Sequence, residues 1–233
     1  DLVRSRGLGD VYKRQIGYSG TNSGKDRTNA YIPETVLRDV YLPPFRSAVN
    51  AGAKTVMINS GDINGIPVHA NKKILTDLLR KELGFEGLAV TDWEDITKLV
   101  NRHRVAVNQK EAVYLVLEAG IDMAMVPYDY SFYGLALQLV KEGRISEARI
   151  DESVRRILKL KYELGLFANP YPEKAAIPNL YPKETDQAAL NAARESLVLL
   201  KNNDATLPLK KGAKVFVTGP TACLLYTSDA ADE

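Results

Sequence analysis

Short apolar runs rich in β-branched residues alternate along the chain with longer stretches whose apolar positions recur every three or four residues. Residues 55–59, Thr-Val-Met-Ile-Asn, follow Ala51-Gly52-Ala53 and predict a buried strand. Residues 73–83 carry apolar side chains at 74, 75, 78, 79 and 83, the spacing of one helix face, and Gly84 stands where a helix stops. The pattern then repeats. Residues 87–91 predict a second strand, 110–118 a helix closed by Gly120, 121–126 a third strand, and 132–141 a helix closed by Gly143. Strand and helix alternating through short links is the signature of a parallel α/β arrangement, and continuous apolar strands suit a sheet covered on both faces. Three such units are compatible with a barrel and with an open sheet.

Further on, residues 146–164 predict a longer helix, with Ser146 as N-cap and Gly165 as its stop. Prolines at 170, 172, 178 and 182 then mark a linker, taken as 169–184, between a first domain (16–168) and the start of a second (185–222). In that second part a helix is expected over 185–194 and short strands over 197–200 and 214–218.

Composition changes this picture mainly at the ends. Residues 1–15 (DLVRSRGLGDVYKRQ) and 223–233 (CLLYTSDAADE) resemble translated sequencing-adapter DNA, so protein sequence proper is expected to run from Ile16 to Ala222, as an internal piece of a longer polypeptide. The first stretch carries four basic and two acidic side chains and the second carries three acidic ones, so setting both aside moves the net charge only from +2 to +3. A near-neutral chain, 45% hydrophobic and without a membrane-length apolar run, gives no case for a nucleic-acid or membrane partner. Cys223, the only cysteine, falls in the adapter-like tail and carries no information on redox compartment.

Among candidate chemical groups, Asp92 stands out, in Gly87-Leu88-Ala89-Val90-Thr91-Asp92-Trp93-Glu94-Asp95. A carboxylate directly after a buried parallel strand lies at the strand's carboxyl end, where α/β folds hold their chemistry. A neighbouring tryptophan suits a sugar, whose C–H face stacks on the indole while the acid addresses the anomeric carbon. Capping of the following helix is an equally good reading of Asp92 from spacing alone, and it is the expected role of Glu94 and Asp95.

Other candidates are weaker. Residues 20–26 fail as a phosphate loop, with only three residues between the glycines, Asp26 in place of Ser/Thr and no preceding strand. His69 and His103 lack zinc-site spacing, and His69 is read as ordering its turn-rich loop. Arg155, Arg156, Lys159 and Lys161 read as a solvated helix face with Glu152 and Glu163. Asp26 and Arg27 are expected to pair within their loop. No G-x-S-x-G elbow is present.

The run Gly84-Phe85-Glu86-Gly87-Leu88-Ala89-Val90-Thr91-Asp92-Trp93 closely resembles the G-F-x-G-x-x-x-[ST]-D-W signature of family 3 glycoside hydrolases. Val56 to Ser60 with Asn64-Gly65, Leu75 to Arg80, Ala119 to Met123, and Arg194 to Asn202 with Leu207-Pro208-Leu209 are similar to successive segments of that family, in the same order. The resemblance implies an α/β chain made of the C-terminal portion of a (β/α)8 barrel followed by the start of an α/β sandwich domain. It implies retaining hydrolysis of terminal β-D-glucosyl residues, with Asp92 as nucleophile and Trp93 as floor of the sugar subsite, and it implies no metal or organic cofactor. The expected partner is an oligosaccharide or aryl β-glucoside.

In this family the acid/base carboxyl lies deep in the second domain, beyond the present sequence, and the Lys-His pair that grips sugar hydroxyls would precede Ile16. Tyr18 stands where an N-acetylhexosaminidase branch has a catalytic histidine, which favours the glucosidase-like branch. Ser60 takes the place of a tyrosine found near the nucleophile in many relatives, so Tyr18 and Ser60 are further candidate substrate-binding residues. A β-xylosidase, exo-glucanase or phosphorylase on the same scaffold, or a non-catalytic carbohydrate binder, are the alternatives. A periplasmic or secreted location is favoured over a cytoplasmic one.

Overall fold

The computed structural model describes residues 16–25, 27–128, 130–179, 182–216 and 218. The adapter-like stretches 1–15 and 223–233 lie outside the described residues, and so does the Asp26 side of the pair expected with Arg27. The chain divides into two compact units, Asp1–Tyr171 and Pro172–Glu233.

The first unit is built on two parallel strands, β1 (Thr55–Met57) and β4 (Leu88–Val90), in the register Thr55↔Leu88, Val56↔Ala89, Met57↔Val90. Two parallel strands need a crossover between them. It is supplied by a small hairpin of β2 (Asp62–Ile63) and β3 (Ile66–Pro67), then a helix. The hairpin turns on Asn64-Gly65, both with positive φ (53° and 82°), the backbone that an Asn-Gly pair adopts at least cost.

Helix α1 (Leu42–Asn50) precedes β1 and begins with prolines in its first turn, where a missing N–H costs nothing. Helix α2 (Lys73–Glu82) is π-wound and buries Ile74, Leu75, Leu78 and Leu79, as its spacing predicts, and Gly84 ends it at φ +66°. Gly87 has to be glycine for a different reason: a Cβ there would overlap the Lys54 carbonyl and the Phe85 ring, so it lets β4 approach the residue just before β1.

Beyond β4 come α3 (Asp95–Asn101), α4 (Gln109–Ala119), α5 (Ser131–Lys141) and α6 (Glu147–Glu163). Asn108 caps α4 by accepting the Glu111 N–H at 2.9 Å, and Ser146 caps α6 by accepting the Arg149 N–H at 3.2 Å. These helices close over the sheet, and Val90, Ile96, Leu99, Val113, Val116, Ile121, Leu139 and Ile145 are all buried.

Three expected strands need correction. Residues 121–126 do not form a strand: only Met123 bridges to Val90. The segment does run beside β4, but Met125 N–H is taken by the Thr91 hydroxyl at 2.7 Å instead of a ladder carbonyl, so regular pairing stops after one step. Likewise 197–200 and the described part of 214–218 (214–216 and 218) are not strands in the second unit, while residue 217 lies outside the described residues. A strand requires a partner backbone, none pairs with these segments among the described residues, and Leu197 to Leu200 are 63–91% exposed. Helix α7 (Lys183–Ser196) forms as its pattern predicts, with no buried residue.

Candidate active site

The carboxyl ends of β1 and β4 bring two polar side chains together. Thr91, fully buried after β4, donates its backbone N–H to Met123 O at 3.0 Å and fixes the exit of the strand. The next residue is Asp92, which the structure places at the strand's carboxyl end. Its Oδ2 accepts the Ser60 hydroxyl at 2.8 Å, and its Oδ1 accepts the Trp93 backbone N–H at 2.6 Å. The Arg27 guanidinium lies 3.7 Å from Oδ2. The Asp92 side chain keeps 21% of its surface exposed, enough to meet a ligand while both oxygens are held. Its carboxyl binds the Trp93 N–H ahead of α3 and two groups from other elements, Ser60 and Arg27.

Ser60 is only 2% exposed, so its hydroxyl serves Asp92 directly. Trp93 is 42% exposed and meets Tyr128 edge-on, ring centroids 5.7 Å apart at 79°. The Trp93 carbonyl accepts Lys98 Nζ at 2.8 Å, tying the indole's backbone to α3. Tyr18 sits in the turn Tyr18–Gly20, whose approach is joined to the Ser60 segment by Asn59 Nδ2 donating to Ile16 O at 3.0 Å. The structure thus brings Asp92, Trp93 and Ser60 into one connected group and puts Tyr18 on a neighbouring loop.

Behind this group lies a buried polar layer. His69, 2% exposed, accepts the Asp92 backbone N–H on Nε2 at 3.4 Å and faces Asp95 Oδ2 at 3.6 Å. Burial disfavours the imidazolium and pulls the His69 pKa down, against the pull of Asp95 and Asp92. Asp95 is also 2% exposed and binds Lys98 Nζ at 2.8 Å. Burial pushes its pKa up, but His69, Lys98 and Ser60 outweigh this and hold it below the ordinary carboxylate value. Asp95 therefore stands in the first turn of α3, at its positive end as expected, but its carboxylate is buried and bound to Lys98. Glu94 does occupy the N-cap position of α3, in left-handed backbone at φ 58°, but makes no side-chain capping bond. Farther out, His103 Nδ1 faces Asp62 at 3.8 Å; burial lowers the His103 pKa while Asp62 opposes it. The Asn29 amide, oriented to donate, reaches both Asp62 oxygens at 2.9 and 3.0 Å.

A second ionic centre anchors the same strand from below. The Asp122 side chain has no exposed surface and accepts the Ala89 N–H (2.9 Å), Arg80 (2.5 Å), Arg156 (2.7 Å) and Ser153 (2.8 Å). Arg156 is thus not part of a solvated face as its spacing implies. Burial draws the Arg80 pKa down to about 10 while Asp122 opposes it, and the guanidinium stays charged at neutral pH.

Chemically, the group offers an anchored carboxylate aimed at partly open space beside an aromatic edge. Among the described residues no three His, Cys, Asp or Glu side chains stand close enough to hold a metal ion, and no helix is long and apolar enough to cross a membrane. The sequence reading missed the roles of His69, Asp95, Lys98 and Arg27 around Asp92. They come from three separate segments, the Arg27 loop, the turn holding His69 and α3, and only the fold joins them.

Residues 3–160 match the glycosyl hydrolase family 3 N-terminal domain. A lysosomal beta glucosidase of Dictyostelium discoideum is 52% identical over 215 residues, covering 90% of this chain and 26% of that protein. A periplasmic beta-glucosidase of Salmonella typhimurium is 36% identical over 222 residues, covering 90% of this chain and 28% of that protein. The crystal structure of a beta-glucosidase from Listeria innocua in complex with glucose superposes with a TM-score of 0.71 at 36% identity, covering 84% of this chain and 27% of that one. The chain spans about a quarter of the length of the relatives it matches.

Proposed function

The chain belongs to glycosyl hydrolase family 3, and from that premise we propose that it carries the nucleophile of a retaining β-glucosidase. The observation that supports this is the setting of Asp92: a strand-end carboxylate with one oxygen on Ser60 and the other on the Trp93 N–H, partly open to solvent beside the half-exposed indole. In this reading an Asp92 oxygen attacks the anomeric carbon and the C–O bond to the leaving group breaks, with a second carboxyl group protonating the departing oxygen. Water then cleaves the resulting glycosyl ester with the second carboxyl acting as base, so the anomeric configuration is retained. In this reading no carboxyl among the described residues is assigned that second role. Ser60 and the Trp93 N–H hold the carboxylate during attack, the indole forms the floor under the sugar ring, and Tyr18 borders the pocket from the neighbouring loop.

The first unit is read as the C-terminal part of a (β/α)8 barrel (16–168), followed by a linker (169–184) and the start of an α/β sandwich domain (185–222). The substrate is an oligosaccharide or aryl β-glucoside, and no cofactor takes part. A periplasmic or secreted location fits the relative named as periplasmic.

The test is a mechanism-based trap. A full-length protein carrying this sequence, incubated with a 2-deoxy-2-fluoro-β-glucoside bearing an activated leaving group, is expected to accumulate a covalent adduct that peptide mapping puts on Asp92. A label on any other side chain removes Asp92 from the nucleophile role. A putative beta-xylosidase of Formosa agariphila, 37% identical over 219 residues, supports a second reading in which the sugar is xylose. Comparing kcat/KM on aryl β-glucosides and aryl β-xylosides decides between the two.

A further inference from the structure

His69 is a buried imidazole beside the reacting carboxylate that the proposed hydrolysis does not use. It comes from the short turn after β3 and has no sequence relation to Asp92, yet its Nε2 accepts the Asp92 backbone N–H at 3.4 Å. Strand-end residues have lost their ladder partner, and an N–H that leaves the sheet must find an acceptor elsewhere. Asp92 finds it in a side chain that touches neither carboxylate oxygen, which leaves Oδ1 to the Trp93 N–H and Oδ2 to Ser60.

We propose that His69 is a positioning residue for Asp92: as a neutral ring accepting through Nε2, it fixes the backbone of Asp92 and so sets the direction in which the carboxylate faces the sugar. This rests on the reading of Asp92 as the nucleophile.

The arrangement depends on protonation. An accepting Nε2 puts the single proton of the neutral ring on Nδ1. A second proton would turn Nε2 into a donor, end its bond to the Asp92 N–H, and direct it to Asp95 Oδ2, 3.6 Å away. The groups facing the ring act in both directions. Asp92 at the end of β4 and Asp95 on α3 favour the imidazolium, while Lys98 on α3 and His103 beyond it oppose it. Asp62 of the hairpin faces His103, and Arg27 faces Asp92 from its own loop. Burial adds to the opposition and keeps the ring neutral at pH 7.

The experiment uses a full-length protein carrying this sequence, with two substitutions and two readouts. H69F fills the space without an acceptor, whereas H69Q offers Oε1 near the position of Nε2 and does not titrate. In H69F the Asp92 amide is expected to lose protection from hydrogen exchange, and kcat on an aryl β-glucoside to fall roughly tenfold to a hundredfold, with KM moving less than about threefold. H69Q is expected to restore protection and most of kcat, and to lose the part of the acidic limb of the kcat profile that His69 imposes. An H69F kcat within about twofold of the parent, or an H69Q enzyme as slow as H69F, overturns the proposal.

If H69F does not fold, the unsubstituted protein still decides. The ¹⁵N shift of His69 Nε2 at neutral pH is expected to be that of an unprotonated nitrogen, and a protonated Nε2 overturns the proposal. Exchange and ¹⁵N readouts do not depend on where a fluoroglycoside label falls, so failure of the nucleophile assignment and failure of the positioning claim are told apart.

Discussion

Ser60 shows how little side-chain chemistry is needed to orient a carboxylate. Its hydroxyl donates to Asp92 Oδ2 at 2.8 Å from a site almost closed to water. Deleting that oxygen leaves the Asp92 carboxylate one donor short. S60A is expected to lower kcat/KM about tenfold while costing about 1 kcal/mol of stability, read by steady-state kinetics and urea unfolding. Unchanged kcat/KM would mean that Arg27 and the Trp93 N–H suffice. The two buried histidines make a second prediction at this scale. Both have pKa values lowered from 6.5 by burial, so the unfolded chain binds their protons more readily than the folded one. Stability should therefore be fully present above about pH 7.5 and fall as the pH drops through 6.5. Unfolding midpoints measured from above about pH 7.5 down to well below pH 6.5 should show that slope, and a chain with both histidines replaced by Gln should show less of it. The place of Asp92 at a strand's carboxyl end was legible in the sequence, because a carboxylate after an apolar strand is a local pattern. The roles of His69 and Arg27 were not, because nothing in their local spacing encodes a contact made 23 or more residues away.

Among the elements, the helices were the most legible. The periodicity of 73–83, 110–118, 132–141 and 146–164 and the caps at Ser146, Gly120 and Gly143 all fall where the structure has helix ends. Strands fared less well, because pairing is non-local. Residues 121–126 carry the composition of a strand, but Asp122 inside that run turns its carboxylate back to bind the Ala89 N–H and two arginines, and one bridge replaces a ladder. Through this residue α2 (Arg80) and α6 (Arg156) are both fastened to β4. D122A would leave three guanidinium groups, those of Arg80, Arg149 and Arg156, each less than a quarter exposed, without their shared anion. A loss of about 3–5 kcal/mol is expected, read as a lower urea midpoint. A loss under about 1 kcal/mol would show that solvent replaces the carboxylate.

For the molecule as a whole, the apolar surface is as telling as the site. Val154 and Leu158 on α6, Phe167 after it, and Leu197 to Leu200 in the second unit all remain substantially exposed, and β1 has a neighbour on one side only among the described strands. Exposed apolar surface and open strand edges favour association. The 233-residue chain, produced alone, is expected to self-associate at micromolar concentration and to show no turnover of aryl β-glucosides. Light scattering and an activity assay check this, and a monodisperse, active monomer would contradict it.

Trp93 is the only tryptophan in the sequence, and it stands half-exposed beside Asp92 with Tyr128 at its edge. Tryptophan emission, excited at wavelengths that tyrosine does not absorb, therefore comes from one indole, located beside the proposed nucleophile. Its emission wavelength and quenching should follow occupancy directly, so a sugar or an inhibitor can be titrated by light, without a label and without turnover.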